Sequence, residues 1–148
     1  MIDPARVGIA GFSRAGYHTN LLLMSPIPFK AGVMLDGGGS SYLESRPWQE
    51  GELKRISAPL LIEAHGFDEL RLAFAAMFDG LEKLGRPVDL LVFPRGGHNL
   101  HAPAHRATSL QANVDWFLYW LEDEADPDPA KAARNARWKA LRDRPPAK

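Results

Sequence analysis

A serine at position 13 stands between two segments of different pattern. Residues 6–10 (RVGIA) form a short apolar run that predicts a buried strand, and residues 14–24 lack helix breakers after Gly16 and predict a helix. A serine on such a sharp turn exposes its hydroxyl above the sheet, where the amino end of the helix favours developing negative charge. The sequence therefore predicts a nucleophile at Ser13, with a plain loop serine as the alternative. The GxSxG pattern is met imperfectly, because Ala15 occupies the second glycine position.

A serine nucleophile needs a general base and a carboxylate that orients the base. Asp68 follows an apolar run at 59–64, and His98 follows another at 88–93. The order serine, acid, histidine is the one used by α/β-hydrolases. Each candidate comes just after the carboxyl end of a predicted strand, where reactive groups collect in open parallel sheets. We therefore predict that Ser13, Asp68 and His98 converge.

These residues need a sheet that brings the strand ends together. Short apolar runs alternate with helical patterns, which predicts an α/β fold with a mostly parallel sheet of about four strands flanked by helices. The predicted strands are 6–10, 31–35, 59–64 and 88–93, and the predicted helices are 14–24, 70–84 and 107–121.

The helix at 107–121 carries an apolar stripe, and the sequence continues into a charged tail. We expect the stripe to cover the sheet and Asp115 to be solvated; the stripe consists of Leu110, Val114, Phe117 and Leu121. A basic helix is predicted at 129–142, with Trp138 and Leu141 packed onto the domain. We therefore expect a catalytic portion at 1–122, and a linker, helix and frayed end at 123–148.

Composition excludes several classes of function. The chain has 148 residues, 18 basic and 18 acidic side chains and no cysteine. Balanced charge argues against nucleic acid or an anionic membrane as partner, and the lack of cysteine excludes thiolate chemistry. No leader pattern or long apolar run is present, so we expect no membrane contact and a cytoplasmic location. We expect no cofactor and no metal, because Pro103 separates His101 from His105 and disfavours one helical face carrying both.

Four phrases of the sequence resemble successive blocks of the hydrolase domain of prolyl-oligopeptidase (S9) serine peptidases. They cover most of residues 3–121 and read DPARVGIAGFSRAG, ISAPLLIEAHGFDEL, GRPVDLLVFPRGGHNLH and NVDWFLYWL. The ending from residue 103 to residue 144 is similar to that of the bacterial subgroup containing lasso-peptide isopeptidases. The resemblance implies the C-terminal part of an α/β-hydrolase domain that cleaves peptide or isopeptide bonds.

The resemblance implies catalytic roles for Ser13, for an acidic residue after PLLIEA and for His98. Counting from the strand start at Pro59 points to Asp68, whereas counting from the pair His65-Gly66 points to Glu69. We prefer Asp68, because the strand start fixes where the chain leaves the sheet.

The oxyanion hole of an α/β-hydrolase takes one backbone amide just after the nucleophile and another from an earlier loop. Arg14 is predicted to supply the first amide, and the region that would supply the second is missing from this sequence. The amino-terminal β-propeller of the S9 family is missing as well, and the connection at 39–57 is shorter than the resemblance implies. We therefore expect a fragment, a truncated product or half of a split enzyme.

Several functions stay open at this stage. The first is a serine hydrolase acting on a peptide substrate, with a carboxylesterase as the alternative within the enzyme class. The second is a non-catalytic hydrolase half. Expected partners are a separate N-terminal half, or a second copy of the chain joined through an exposed sheet edge.

Overall fold

The computed structural model describes residues 3–41, 44–66 and 68–144, with the backbone alone described at 68–70. After a 3-10 helix at Pro4–Arg6, the larger elements are β1 (Gly8–Phe12), α1 (Arg14–Leu23), β2 (Ala31–Leu35), β3 (Ser40–Ser41), β4 (Arg46–Pro47), α2 (Glu50–Leu53), β5 (Leu60–His65), α3 (Asp68–Lys83), β6 (Val88–Phe93), α4 (Pro103–Leu121) and α5 (Ala132–Asp143). A second 3-10 helix at Pro129–Lys131 precedes α5.

Four of the strands form one sheet in the order β1-β2-β5-β6, and every neighbouring pair is parallel. The predicted α/β class and strand number are confirmed. β2 and β5 lie in the middle of this sheet and are almost entirely buried, as expected for strands covered on both faces. All four carboxyl ends meet at one edge, which brings the loops after the strands together.

Helices cover both faces of the sheet. On one face α1, α2 and α3 pack against alternate residues of the strands, including Met34, Leu60 and Ile62. On the other face α4 and α5 pack against Val33 and Leu61. Alternate residues of one strand therefore serve two separate cores, which explains why the strands read as continuous apolar runs.

The buried face of α4 differs from the predicted one. Leu110 and Val114 are 64% and 52% exposed, whereas Trp116, Tyr119 and Trp120 are buried. The aromatic side chains occupy the buried face because they pack against one another and against Trp138 of α5 in tilted and edge-to-face pairs. The predicted apolar stripe was therefore wrong for its amino-terminal half.

Asp115 is buried, so the prediction that it is solvated was wrong. Its carboxylate accepts hydrogen bonds from Gln111, Lys131 and Arg134 at 2.6–2.9 Å. Burial raises the pKa of Asp115, but these donors outweigh burial and hold the pKa below its ordinary value. The contacts join α4 to the first turn of α5 and to the 3-10 helix before it.

The carboxy-terminal helix packs as predicted. Trp138 and Leu141 are buried, and the Trp138 indole N–H donates to Asp89 of β6 at 2.6 Å. The division between 1–122 and 123–148 stays a prediction. Within the described residues, no helix is long and apolar enough to cross a membrane.

A pair of substitutions in α4 tests which face is buried. Trp116→Ala should lower the free energy of unfolding by about 3–5 kcal/mol, because it leaves a cavity between α4, α5 and the sheet. Leu110→Ala should cost less than about 0.5 kcal/mol, because its side chain is mostly exposed. Urea unfolding measures both. The reverse ranking would restore the predicted stripe.

Candidate active site

Ser13 occupies the sharp turn between β1 and α1. Its backbone has φ 57° and ψ −122°, a strained conformation for a residue with a side chain. Its N–H donates to Leu35 O at 2.9 Å, which extends the pairing of β1 with β2 by one residue. The predicted strand-turn-helix geometry around Ser13 is present, with β1 running to Phe12 rather than ending at residue 10.

Small residues make room for this turn. A Cβ on Gly11 would lie 2.2 Å from Ala15 O, and a Cβ on Gly37 would lie 1.8 Å from Ser13 O. Gly16 also packs against Gly37, since a Cβ there would lie 2.7 Å from Gly37 O. Position 15 has no such crowding, because the Ala15 side chain is exposed. Alanine is therefore tolerated where the usual pattern has glycine.

The imidazole of His98 bridges Ser13 and a carboxylate. His98 Nε2 lies 2.8 Å from Ser13 Oγ, and His98 Nδ1 lies 2.6 Å from Asp36 Oδ2. An ionised carboxylate only accepts hydrogen bonds, so Nδ1–H donates to Asp36 and Nε2 is left to accept from the serine hydroxyl. Phe12 stacks on the imidazole, with 4.8 Å between ring centroids. This arrangement can remove a proton from Ser13.

Sequence reasoning missed Asp36. It follows β2 directly, and its N–H donates to Glu63 O at 2.9 Å, so the end of β2 is fixed against β5. Its side chain is 1% exposed, and its Oδ1 accepts from the His65 N–H at 2.7 Å. Like Ser13, it has a positive φ, here 42°. The available signal was its place at the end of an apolar strand run, immediately before the Gly37-Gly38-Gly39 cluster.

The carboxyl groups of Asp68 and Glu69 lie outside the described side chains. The backbone at these positions forms the first turn of α3, beyond the carboxyl end of β5. The choice of Asp68 over Glu69 therefore stays a prediction. Among the described carboxylates, Asp36 is the one that meets His98 Nδ1.

A buried polar row continues below Asp36. His65 Nδ1 lies 3.2 Å from His98 O, and His65 Nε2 lies 3.3 Å from Glu63 Oε2. Ser109 of α4 donates to the same Glu63 oxygen at 2.8 Å. The ring of His65 therefore contacts the backbone of His98, the predicted base.

A cleft of about 260 Å³ opens beside Ser13. Its wall includes Tyr17, Gly38, Ser40 and Phe74, so apolar and polar surfaces both face the nucleophile. The backbone N–H of Arg14 lies in the first turn of α1, a position without an acceptor inside the helix. Its role as oxyanion donor stays a prediction. No group of three or more His, Cys, Asp or Glu within the described ranges is placed to hold a metal ion.

The chain is 32% identical over 170 aligned positions to the lasso peptide isopeptidase AtxE2 of Asticcacaulis excentricus, and the match covers 96% of this chain. The solved structure of that isopeptidase without ligand superimposes with a TM-score of 0.82 at 29% identity, again over 96% of this chain and 26% of the other. A variant of it with Astexin3-dC4 bound gives 0.78. The predicted resemblance to the S9 family is confirmed. No known protein-family model matches the chain.

Other solved structures share the fold. Acylaminoacyl peptidase of Pyrococcus horikoshii superimposes with a TM-score of 0.70 at 24% identity, covering 87% of this chain and 26% of the other. Dienelactone hydrolase of Anabaena variabilis gives 0.58 at 25% identity, covering 78% of this chain and 50% of the other. The partial α/β-hydrolase fold predicted from the sequence is thereby confirmed.

The chain spans about a quarter of the length of the curated relatives that it matches, 24% of AtxE2 and 22% of the peptidase YuxL of Bacillus subtilis. The alignment with AtxE2 has 170 positions, whereas this chain has 148 residues. AtxE2 therefore has extra residues inside the matched region.

Proposed function

We propose that this chain forms the catalytic part of a serine hydrolase that cleaves peptide or isopeptide bonds. The contact of 2.8 Å between Ser13 Oγ and His98 Nε2 carries the proposal. It places a nucleophile on a strained turn beside a histidine whose Nε2 is free to accept the hydroxyl proton. The match to a lasso peptide isopeptidase supports a peptide or isopeptide bond as the target. The solved complex of a related isopeptidase with Astexin3-dC4 supports a peptide substrate.

The chemistry follows from the positions of the three groups. Ser13 Oγ attacks the carbonyl carbon while His98 Nε2 takes the hydroxyl proton, and a backbone amide near Arg14 stabilises the oxyanion. His98 then gives the proton to the leaving amine, which departs and leaves an acyl group on Ser13. Water repeats the sequence in the deacylation step, with His98 again acting as base.

We propose Asp36 as the carboxylate that orients His98, with the predicted Asp68 as the competing assignment. Asp36 is supported by its contact of 2.6 Å with His98 Nδ1. Asp68 is supported by the family resemblance and by its position after β5. Asp36 follows β2 and Asp68 follows the neighbouring strand β5, so both positions come after the carboxyl ends of the sheet, as His98 does.

A carboxylesterase is the second candidate. Ester and amide hydrolysis use the same nucleophile and base, and the likeness to a dienelactone hydrolase favours this candidate for the cleft beside Ser13. The third candidate, a non-catalytic hydrolase half, is the alternative that the sequence left open. Comparing small ester and peptide substrates separates the first two candidates, and labelling of Ser13 separates both from the third.

We further propose that β1 pairs with another polypeptide, either a separate N-terminal half or a second copy of this chain. Within the described ranges, β1 has a strand partner on one side only, and its outer backbone groups face away from β2. Exposed apolar side chains lie on the helices over both faces of β1; they are Leu21 and Leu22 of α1, and Leu110, Val114 and Leu118 of α4. An unpaired edge flanked by apolar surface favours association.

The proposed activity predicts covalent labelling at one serine. A fluorophosphonate probe should modify Ser13, detected by mass spectrometry of peptides, and Ser13→Ala should abolish the label. If the second oxyanion donor lies outside this segment, as the family resemblance implies, this segment alone should turn over a small ester about 10²–10³ times more slowly than a complete serine hydrolase.

Ser57→Ala, at an exposed position far from the turn, is the matched control and should keep the label. Labelling of Ser40 in the same cleft, or no labelling at all, would contradict the assignment of Ser13.

The two candidate acids predict opposite mutational patterns. If Asp36 orients His98, Asp36→Asn should slow labelling of Ser13 by about 10⁴-fold, as loss of the orienting acid does in serine proteases, and Asp68→Asn should change it little. Glu69→Gln, which removes the other acid considered from the sequence, should also change it little. A large loss in Asp68→Asn with a small loss in Asp36→Asn would favour the sequence-based assignment instead.

The exposed edge predicts association that depends on concentration. Sedimentation of the chain should show dimers or larger species, and Ala10→Lys should weaken them by placing a charge on an exposed position of the edge strand. Val92→Lys, at an exposed position of β6 on the opposite edge, should leave association unchanged. A chain that stays monomeric at high concentration would exclude a second copy as the partner of β1 and leave a separate N-terminal half as the proposed partner.

A further inference from the structure

The proposed reaction leaves one buried polar group without a role. Glu63, His65 and Ser109 are 0%, 3% and 6% exposed, and none of them lines the cleft at Ser13. Burying a carboxylate and an imidazole under a parallel sheet edge costs free energy unless both are paired. Their partners indicate what the group does.

His65 contacts both the carboxylate that pairs with His98 and the backbone of His98 itself. Its backbone N–H donates to Asp36 Oδ1 at 2.7 Å, and its ring Nδ1 lies 3.2 Å from the carbonyl oxygen of His98. The first contact holds the carboxylate and the second holds the loop that carries the base. His65 is itself fixed at the end of β5, inside the sheet.

The partners of the ring determine where its protons lie. A carbonyl oxygen only accepts, so Nδ1 of His65 must carry a hydrogen to hold His98. Nε2 faces Glu63 Oε2, which already accepts from Ser109, so an N–H at Nε2 gives that oxygen a second donor. Two acceptors on opposite sides of the ring favour the doubly protonated imidazolium.

The charges around His65 favour the same state. Burial lowers the pKa of His65, but the hydrogen bonds with Glu63 and with the His98 backbone, together with the charges of Asp36 and Glu63, raise it above its ordinary value. On the side of α4, the neighbouring polar groups are Ser109 and Arg106. Both line a second cleft, separate from the one at Ser13, which His65 also lines. On the side of the sheet, the carboxylates of Asp36 and Glu63 both face the imidazole ring.

We propose that His65 is a positioning residue for this reaction and keeps the His98 imidazole aligned with Asp36. Its Nδ1–H donates to the His98 carbonyl oxygen, and its backbone N–H donates to the Asp36 carboxylate. The inference rests on the proposed function of Ser13 and His98. Glu63 and Ser109 have a supporting part, because they hold the far side of the imidazole.

Two substitutions at position 65 separate positioning from packing. An asparagine amide nitrogen comes close to the position of His Nδ1, whereas a glutamine amide nitrogen comes closer to Nε2. His65→Asn should therefore keep most of the hold on His98 O, and His65→Gln should lose it. A displacement of about 1 Å can cost about 10²-fold in rate, so we expect His65→Gln to slow labelling of Ser13 by about that factor and His65→Asn by far less.

A spectroscopic signal measures the same effect without turnover. The Nδ1 proton in the short His98–Asp36 hydrogen bond should appear far downfield in the proton NMR spectrum. It should persist in His65→Asn and be lost or shifted upfield in His65→Gln, with unfolding midpoints measured alongside. His101→Gln, at an exposed histidine, is the matched control and should change neither signal nor rate.

Equal rates and unchanged downfield signals in both folded variants would overturn the proposal and leave His65 as a packing residue. If the variants do not fold, nitrogen-15 spectra of the unsubstituted chain decide, because an unprotonated Nδ1 at His65 cannot hold His98 O. Failure of the probe to label Ser13, with the downfield proton responding as expected, would contradict the proposed function and support the role of His65. Normal labelling without that response would do the opposite.

Discussion

The arrangement of the site depends on parallel pairing of β2 between β1 and β5. Parallel strands place all their carboxyl ends on one edge, and the register here sets Phe12 opposite Leu35 and Leu35 opposite Glu63. Ser13 and Asp36, the next residues along, therefore begin their turns side by side. The hydrogen bonds from Ser13 N to Leu35 O and from Asp36 N to Glu63 O carry the sheet pairing into the site itself.

Strain at the site is supported by the packing around it. Ser13 and Asp36 both have positive φ values, which cost free energy for residues with a Cβ. Gly11, Gly16 and Gly37 lie so close to neighbouring backbone that no side chain fits, and this closeness holds the strained turns in place. Several backbone contacts therefore hold each of the two turns in one conformation, as a preorganised site requires.

Much of this arrangement could be predicted from local sequence. The runs at 31–35 and 88–93 predict their strands with the observed bounds, because a strand buried on both faces must be apolar throughout. Ser13 and His98 are predicted as site residues because each follows such a run. The face of α4 could not be predicted from its periodicity, because the decisive contacts come from Trp138, 22 or more residues away from Trp116 in the sequence.

The same reasoning also marks Asp36, which follows the run at 31–35, but local sequence does not show which carboxylate reaches His98. The Asp36 carboxylate meets a histidine whose loop follows β6, and in the sheet order β5 separates β6 from β2. Neighbouring strands lie about 4.8 Å apart, so the His98 loop must cross the end of β5 to reach Asp36. The residue at that end is His65, which bonds to Asp36 on one side and faces the His98 carbonyl on the other. A histidine in that position links the end of β2 to the loop after β6, and Glu63, two residues earlier on β5, balances its charge. The reach of His98 across β5 and the buried pair beneath it are therefore two consequences of one strand order.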